Sequence, residues 1–410
     1  MKLHIGIAAP IATEHVADLL DGEVGSLPIG YTGAPFTGAL IAELLKQGHR
    51  VSAFTTDSSL FPQSEPVKAS GPDFDLYICP ERPRAWRFNQ RFPGRALDGF
   101  AYERRGLATT IKTVQPDIVH AHWTYEFALA AIATGLPHLI SCHDAPAVIL
   151  RFNPYPFRAI RYLMARAVFL KGRHFSTVSD YMLSAIQGYT KIPITVVPNP
   201  LAEFVLASGK IRSRPASRRI GLVCNGWEAR KNARPALQAF AQLYSNQQNV
   251  ELHLFGQDFG PDQAAEQWCE QQGLAAGMIF HGPTPHKRLI ERLDSMDLLL
   301  HPSLEESFGV VIAEAMALGL PVVAGRHSGA APWVVGFMEN SHEQCCAVLT
   351  DVSAPEAIVA AVNTAFDEHY QERSAMGYAR ARKMFTPAVI TAAYLALYRQ
   401  ILAADALSTL

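Results

Sequence analysis

The sequence predicts an α/β protein of two domains, each a mostly parallel sheet with helices on both faces. Three observations lead there. Short apolar runs rich in β-branched residues alternate with longer amphipathic stretches along all 410 residues, the pattern of repeated strand–helix–strand units. The strand candidates are near-continuously apolar, as expected of strands covered on both faces. The length corresponds to roughly two to three domains at about 150 residues each, which two similar halves satisfy.

In the first half, strands are predicted at residues 3–8, 51–55, 76–79, 117–120, 138–142, 174–178 and 194–197. Between the first two, Leu40, Leu44 and Leu45 form the apolar stripe of a helix that Gly48 ends. The second half repeats the scheme, with strands at 219–224, 250–255, 278–281, 297–301, 321–324 and 347–350. The segment from Pro198 to Arg219 is rich in proline, serine and basic residues and reads as a linker. The boundary falls near residues 200–219, dividing the chain into 1–200 and 201–385. Residues 386–410 form one helical pattern, with Pro387 in its first turn and Ala392, Leu395, Tyr398 and Ile401 at helical spacing. Two Rossmann-like domains of this kind face each other across a central cleft and hold ligands at the carboxyl ends of their strands.

Composition narrows the function. Hydrophobic residues are 49% and charged residues 18% of the chain, which excludes a disordered or collagen-like protein. Lysine and arginine total 36 against 37 acids, so the net charge gives no sign of a nucleic-acid partner. The six cysteines contain no Cys-x-x-Cys, which suits reduced thiols in a cytoplasmic protein. The apolar start of the chain stops at Thr13-Glu14-His15, short for a secretory leader. No run of about 18 apolar residues predicts a membrane span.

The neutral total hides an asymmetry. Residues 1–200 carry 19 basic and 16 acidic side chains, the rest 17 and 21. Residues 82–105 hold seven arginines against Asp98 and Glu103, interleaved with Trp86, Phe88, Phe92 and Phe100. Residues 145–179 hold six basic side chains and no acid, with Phe152, Tyr155, Phe157, Tyr162 and Phe169. Basic residues among aromatics suit peripheral contact with an anionic membrane or a phosphorylated acceptor. A solvated helix face over ordinary core aromatics gives the same pattern.

The most informative segment is residues 301–324. A strand leads through Glu306-Ser307-Phe308-Gly309 into a helix from about Val310. Gly309 permits close backbone approach, and free N–H groups at a helix start attract anions. Glu314, a little over one turn inside, suits a bidentate grip on a cis-diol such as ribose, and Glu306 can reach a second ligand hydroxyl. A solvent-facing Glu306 and a structurally paired Glu314 are the plain alternative.

Glu306 and Glu314 are separated by seven residues, and ESFGVVIAEAMALGLPVVA closely resembles the E-x7-E segment of retaining glycosyltransferases of family 4. The resemblance extends over almost the whole chain, through GYTGAPFTGALIAELLKQGHRVSAFT, PDIVHAHW, ISCHDAP, STVSDYM, VVPNPL, KNARPALQAF and LHLFGQ. It implies the GT-B fold and a last helix that packs back on the N-terminal domain. It implies a nucleotide-sugar donor, a glycan or lipid-linked acceptor, and neither metal nor cofactor. By resemblance, Glu314 holds the donor ribose and Glu306 contacts hydroxyls of the transferred sugar. Backbone amides at Ser307, Phe308 and Gly309 meet the diphosphate. Lys231 occupies the position of the family's diphosphate lysine. The family's Gly-Arg pair is replaced by Asn225-Gly226-Trp227, so Arg230 is the candidate for the second cation.

His120 and His122 share a side of their strand end. They are a metal pair without a third ligand or core histidines, and the resemblance selects His122 as the one near donor sugar and acceptor. His143 ends the next strand and is expected in the same crevice, with Asp144 beside it as an acceptor contact. Thr32-Gly33 and Thr37-Gly38 stand where the family has paired glycines, and Gly33 is the candidate for close approach to donor phosphate. Asp73-Phe74-Asp75 matches a metal-binding Asp-x-Asp, a cheap three-residue coincidence. Rival readings are a sugar-nucleotide epimerase, a phosphorylase and a non-catalytic sugar-nucleotide-binding protein. A dehydrogenase is disfavoured because no strand leads into G-x-G-x-x-G.

Overall fold

The computed structural model describes residues 2–62, 65–337 and 345–408. The chain forms two compact units, one of residues 1–178, 182–200 and 387–410 and one of residues 179–181 and 201–386.

The first unit contains strands β1 (His4–Ala8), β2 (Arg50–Asp57), β3 (Val67–Gly71), β4 (Phe74–Pro80), β5 (Ile118–His122), β6 (His138–Cys142), β7 (Phe175–Thr177) and β8 (Ile194–Val196). They form one sheet in the order β3-β4-β2-β1-β5-β6-β7-β8. Every pairing is parallel except β3 with β4. The core strands are buried at nearly every position, so they read as apolar runs. The sequence reading missed β3, whose alternating Val67-Lys68-Ala69-Ser70-Gly71 is only half-buried at the sheet edge. The Asp-x-Asp lies at the β3–β4 turn and in β4. Asp73 pairs with Lys2, while Asp75 accepts from Ser70 and pairs with Arg50 and Lys68. These carboxylates are engaged in ion pairs.

The second unit holds β9 (Arg218–Val223), β10 (Val250–Phe255), β11 (Met278–Gly282), β12 (Leu298–His301), β13 (Val322–Gly325) and β14 (Ala347–Thr350). The sheet is parallel throughout, ordered β11-β10-β9-β12-β13-β14. The presumed linker is more ordered than its composition suggests. Glu203–Ser208 is helical with Val205 fully buried. Arg212 donates to Leu318 O and Met296 O and pairs with Asp294. Arg212 thus ties the segment to backbone carbonyls of the second unit, a use that composition does not reveal.

The C-terminal helix Pro387–Ser408 belongs to the first unit. Ile390, Tyr394, Leu395, Tyr398 and Ile401 are buried in that unit's core with β1, β2 and the helix Phe36–Lys46. Ala392, expected on this stripe, is exposed, because Tyr394 and Leu395 set the buried face two residues later. The helical stretch Tyr370–Leu407 is long and apolar enough to cross a membrane by length and composition, which the sequence reading did not anticipate. It is two helices, Tyr370–Met384 and Pro387–Ser408, separated before Pro387.

Candidate active site

In the second unit, the strand end of β12 and the start of the helix Val310–Ala317 enclose the predicted loop. Three hydrogen bonds fix its backbone: Leu304 N to Arg230 O at 2.8 Å, Ala330 N to Glu306 O at 2.7 Å, and Ser179 Oγ to Ser307 O at 2.7 Å. Gly309 caps the helix at φ 81° and ψ 63°, left-handed backbone that a side chain would strain. Phe308 is buried edge-on against Phe385, so its side chain is core and only its backbone faces the loop's chemistry.

Both predicted glutamates are largely buried and each meets a histidine. Lys231 Nζ donates to Glu306 Oε1 at 2.8 Å, and His301 Nε2 lies 3.3 Å from the same oxygen. Burial alone would raise the Glu306 carboxyl, but the attraction of Lys231, with the His301 contact, holds it well below the usual carboxylate range. Glu314 Oε1 is 2.6 Å from His286 Nε2, at the start of the helix His286–Asp294. Phe204 lies edge-on to that imidazole. Arg230 is committed to carboxylates, to Glu228 at 3.1 Å and Glu305 at 3.4 Å. Neither cation therefore faces the loop with an uncompensated charge.

In the first unit, His122 ends β5 and His143 follows β6. Their rings are joined by a 2.8 Å hydrogen bond between His122 Nδ1 and His143 Nε2. Burial lowers the His122 pKa to about 3, and burial together with His122 lowers that of His143 well below its ordinary value. Both rings are thus neutral near pH 7. One of them donates, so the pair carries one free N–H at one end and one free lone pair at the other. His122 Nε2, Thr124 Oγ1, His143 Nδ1 and Asp144 Oδ1 are all buried without a protein partner. Such a cluster of unsatisfied polar atoms at strand carboxyl ends marks a place where a ligand or water completes the bonding. Asp144 accepts from Tyr125 OH at 2.8 Å, and burial raises its pKa. The His143 ring packs against both Phe36 and Trp123, centroids 4.8 and 4.6 Å away, and those two rings touch each other at 5.9 Å. Trp123 holds φ 65°, a strained backbone for a bulky residue.

His120 and His122 do share a side, with rings 4.1 Å apart. His120 is already bonded to Tyr398 OH and Ser141 Oγ, each at 2.7 Å. Among the described residues, no three His, Cys, Asp or Glu side chains gather as metal ligands. Gly33 has φ 105° and open space around its Cβ position. Sequence reasoning thus missed His286, His301, Phe36, Trp123 and Tyr125. Of these, only His301, five residues before Glu306 at a strand end, carried a local signal.

The family model for glycosyl transferases group 1 matches residues 211–384, and the model for glycosyltransferase family 4 matches residues 36–202. The D-inositol 3-phosphate glycosyltransferase of Corynebacterium glutamicum (strain R) is 29% identical over 143 residues, 34% of this chain and 32% of that protein. The matched stretch spans about a third or less of the first curated relatives. The putative colanic acid biosynthesis glycosyl transferase WcaC of Escherichia coli (strain K12) is 24% identical over 288 residues, 65% of this chain and 67% of that one. Among solved structures, sucrose-phosphate synthase from Thermosynechococcus elongatus superposes with a TM-score of 0.74 at 17% identity, over 98% of this chain and 100% of that one. WaaG, a glycosyltransferase involved in lipopolysaccharide biosynthesis, gives 0.65 at 17% identity over 95% and 98%. With family models matching both halves and a fold shared across nearly its full length, this chain belongs to the family 4 glycosyltransferases of GT-B fold.

Proposed function

We propose that the protein is a retaining hexosyltransferase that moves a sugar from a nucleoside-diphosphate donor to an acceptor hydroxyl. The observation that carries this reading is the pair of buried carboxylates, Glu306 held by Lys231 and Glu314 held by His286, at the two ends of a glycine-capped helix start. Glu314 keeps Oε2 for the donor ribose, and Glu306 meets the transferred sugar. Lys231 exchanges its carboxylate for the diphosphate as negative charge grows on the leaving oxygen, helped by N–H groups from Ser307 to Gly309. Arg230, already spanning Glu228 and Glu305, shapes the loop and adds to the field. These residues, rather than a metal ion, supply the leaving-group stabilisation.

In the reaction the bond between the anomeric carbon and the diphosphate oxygen breaks. The acceptor oxygen bonds to the same face of that carbon, and the departing diphosphate takes the acceptor proton. His122, His143 and Asp144 orient the acceptor through their unsatisfied atoms, and Gly33 lets backbone approach the donor phosphate. The acceptor is a glycan or lipid-linked sugar of a cell-surface polysaccharide, lipopolysaccharide or glycolipid. The enzyme works in the cytoplasm and touches anionic membrane peripherally. Exposed Arg84, Trp86, Arg87, Phe88 and Arg91 support that contact, whereas Arg82 and Arg95 are spent on Asp98, Glu103 and Glu81.

A donor screen over UDP-, GDP- and ADP-sugars, followed by NMR with and without acceptor extract, tests the reading. Donor consumption that requires an acceptor supports transfer. Conversion of donor alone would make the protein an epimerase, and binding without turnover would make it a sugar-nucleotide-binding protein.

A further inference from the structure

A second cluster of unpartnered basic side chains lies at the amino ends of β6 and β7, the end of the sheet opposite His122 and His143. A cavity of about 290 Å³ opens there, walled partly by Ile401 and Asp405 of the C-terminal helix. Four basic side chains line it, His138, Lys171, Arg173 and His174, against the one carboxylate of Asp405. Lys171, Arg173 and His174 make no side-chain hydrogen bond or ion pair among the described residues. His138 is 7% exposed. Its Nδ1–H donates to Leu136 O at 3.0 Å, which fixes the tautomer and leaves Nε2 as a buried lone pair without a partner. Burial and the nearby Arg173 depress both imidazoles, and Asp405 opposes this.

Lys171 and Arg173 bring two positive charges to the rim, and an anion between them would favour protonation of the two neighbouring imidazoles. We propose that this cavity binds a small phosphate-bearing anion, held by Lys171, Arg173 and His174 and by His138 once its Nε2 is protonated. The size sets the class. Small-molecule sites run from about 300 to 1,000 Å³, so this cavity takes a phosphate group or a short phosphorylated metabolite and not a nucleotide. Asp405 competes for the same cations. Binding takes up protons, because an anion stabilises both imidazolium forms, so affinity rises as pH falls through the histidine range. The proposal is independent of the glycosyl-transfer reading.

Isothermal titration of the full-length protein with sulfate tests it, since sulfate stays a dianion from pH 6 to 8. Binding should tighten at least about threefold from pH 8 to pH 6 and should weaken more than tenfold in the Lys171→Gln/Arg173→Gln variant. Both side chains are exposed, so that variant should fold. Asp405→Asn should tighten binding. Titrations with inorganic phosphate and with glycerol 3-phosphate separate the two sources: tighter binding of the ester identifies a phosphorylated metabolite, and equal binding identifies free phosphate. Sulfate affinity unchanged in the double variant, or indifferent to pH, overturns the site.

Discussion

Lys231 and Glu306 face each other at 2.8 Å, with about 15% and 14% of their side chains exposed. Removing one partner of a pair this buried leaves a desolvated charge, at about 3 kcal/mol. Lys231→Ala should therefore lower stability by about that amount in urea titration, and should abolish transfer as well. A variant as stable as the parent would show that the pair is solvated in practice. The buried histidines make a pH prediction. Burial depresses His120, His122 and His143 in the folded state. The unfolded chain then binds more protons below the ordinary pKa of 6.5. Stability is fully present above that value and falls as pH drops from about 6.5 toward 3. Urea midpoints measured between pH 7.5 and 4.5 should decline, and a smaller decline is expected in His122→Gln. Midpoints independent of pH would mean that the rings are hydrated. At this scale the sequence was most legible where function is local. Glu306, Gly309 and Glu314 sit within nine residues of one another and carry their own pattern. His286 reaches Glu314 from 28 positions away, and Phe36 closes on His143 from another strand–helix unit. Such contacts exist only after the sheet has ordered.

The C-terminal helix depends on two tyrosines. Tyr398 OH bonds to His120 Nδ1 at 2.7 Å, and Tyr394 OH is 3.3 Å from Ser141 Oγ. Tyr398→Phe leaves a buried ring nitrogen without a partner and should cost about 1–2 kcal/mol, read as a lowered urea midpoint. No change would show that water replaces the hydroxyl. At the element scale, strands buried on both faces were legible because their apolar runs are unbroken. β3 was not, since an edge strand needs only one apolar face. The helix Glu203–Ser208 was masked by the prolines and basic residues around it. The helix Pro387–Ser408 was recognised with Leu395, Tyr398 and Ile401 on its buried face, and only Ala392 departs, since an alanine fits a core pattern as readily as an exposed one.

Charge is distributed unevenly over the whole chain, and the structure divides the basic residues by use. Arg82 is fully buried between Asp98 and Glu103, and Arg161 pairs with Glu126 and lies over the Tyr125 ring at 4.0 Å. Arg84, Arg87 and Arg91 are exposed beside Trp86 and Phe88. Buried Asn89 fixes that loop through the backbone of Arg84, Arg87 and Pro93. The core reading of the basic-aromatic segments thus holds for Arg82 and Arg161, and the proposed membrane contact rests on the exposed set. Replacing Arg84, Arg87 and Arg91 together with serine should leave the fold unchanged and remove co-sedimentation with phosphatidylglycerol vesicles at low salt. If the parent does not sediment with such vesicles, the membrane contact is withdrawn. The central claim is that Glu306 and Glu314 serve one glycosyl transfer. Its most direct measurement is release of nucleoside diphosphate from the best-bound donor, with acceptor present, by the parent and by Glu314→Ala. Glu314→Ala should lose at least about 100-fold in rate with an unchanged circular dichroism spectrum. Release at the parental rate by a folded Glu314→Ala protein would contradict that claim.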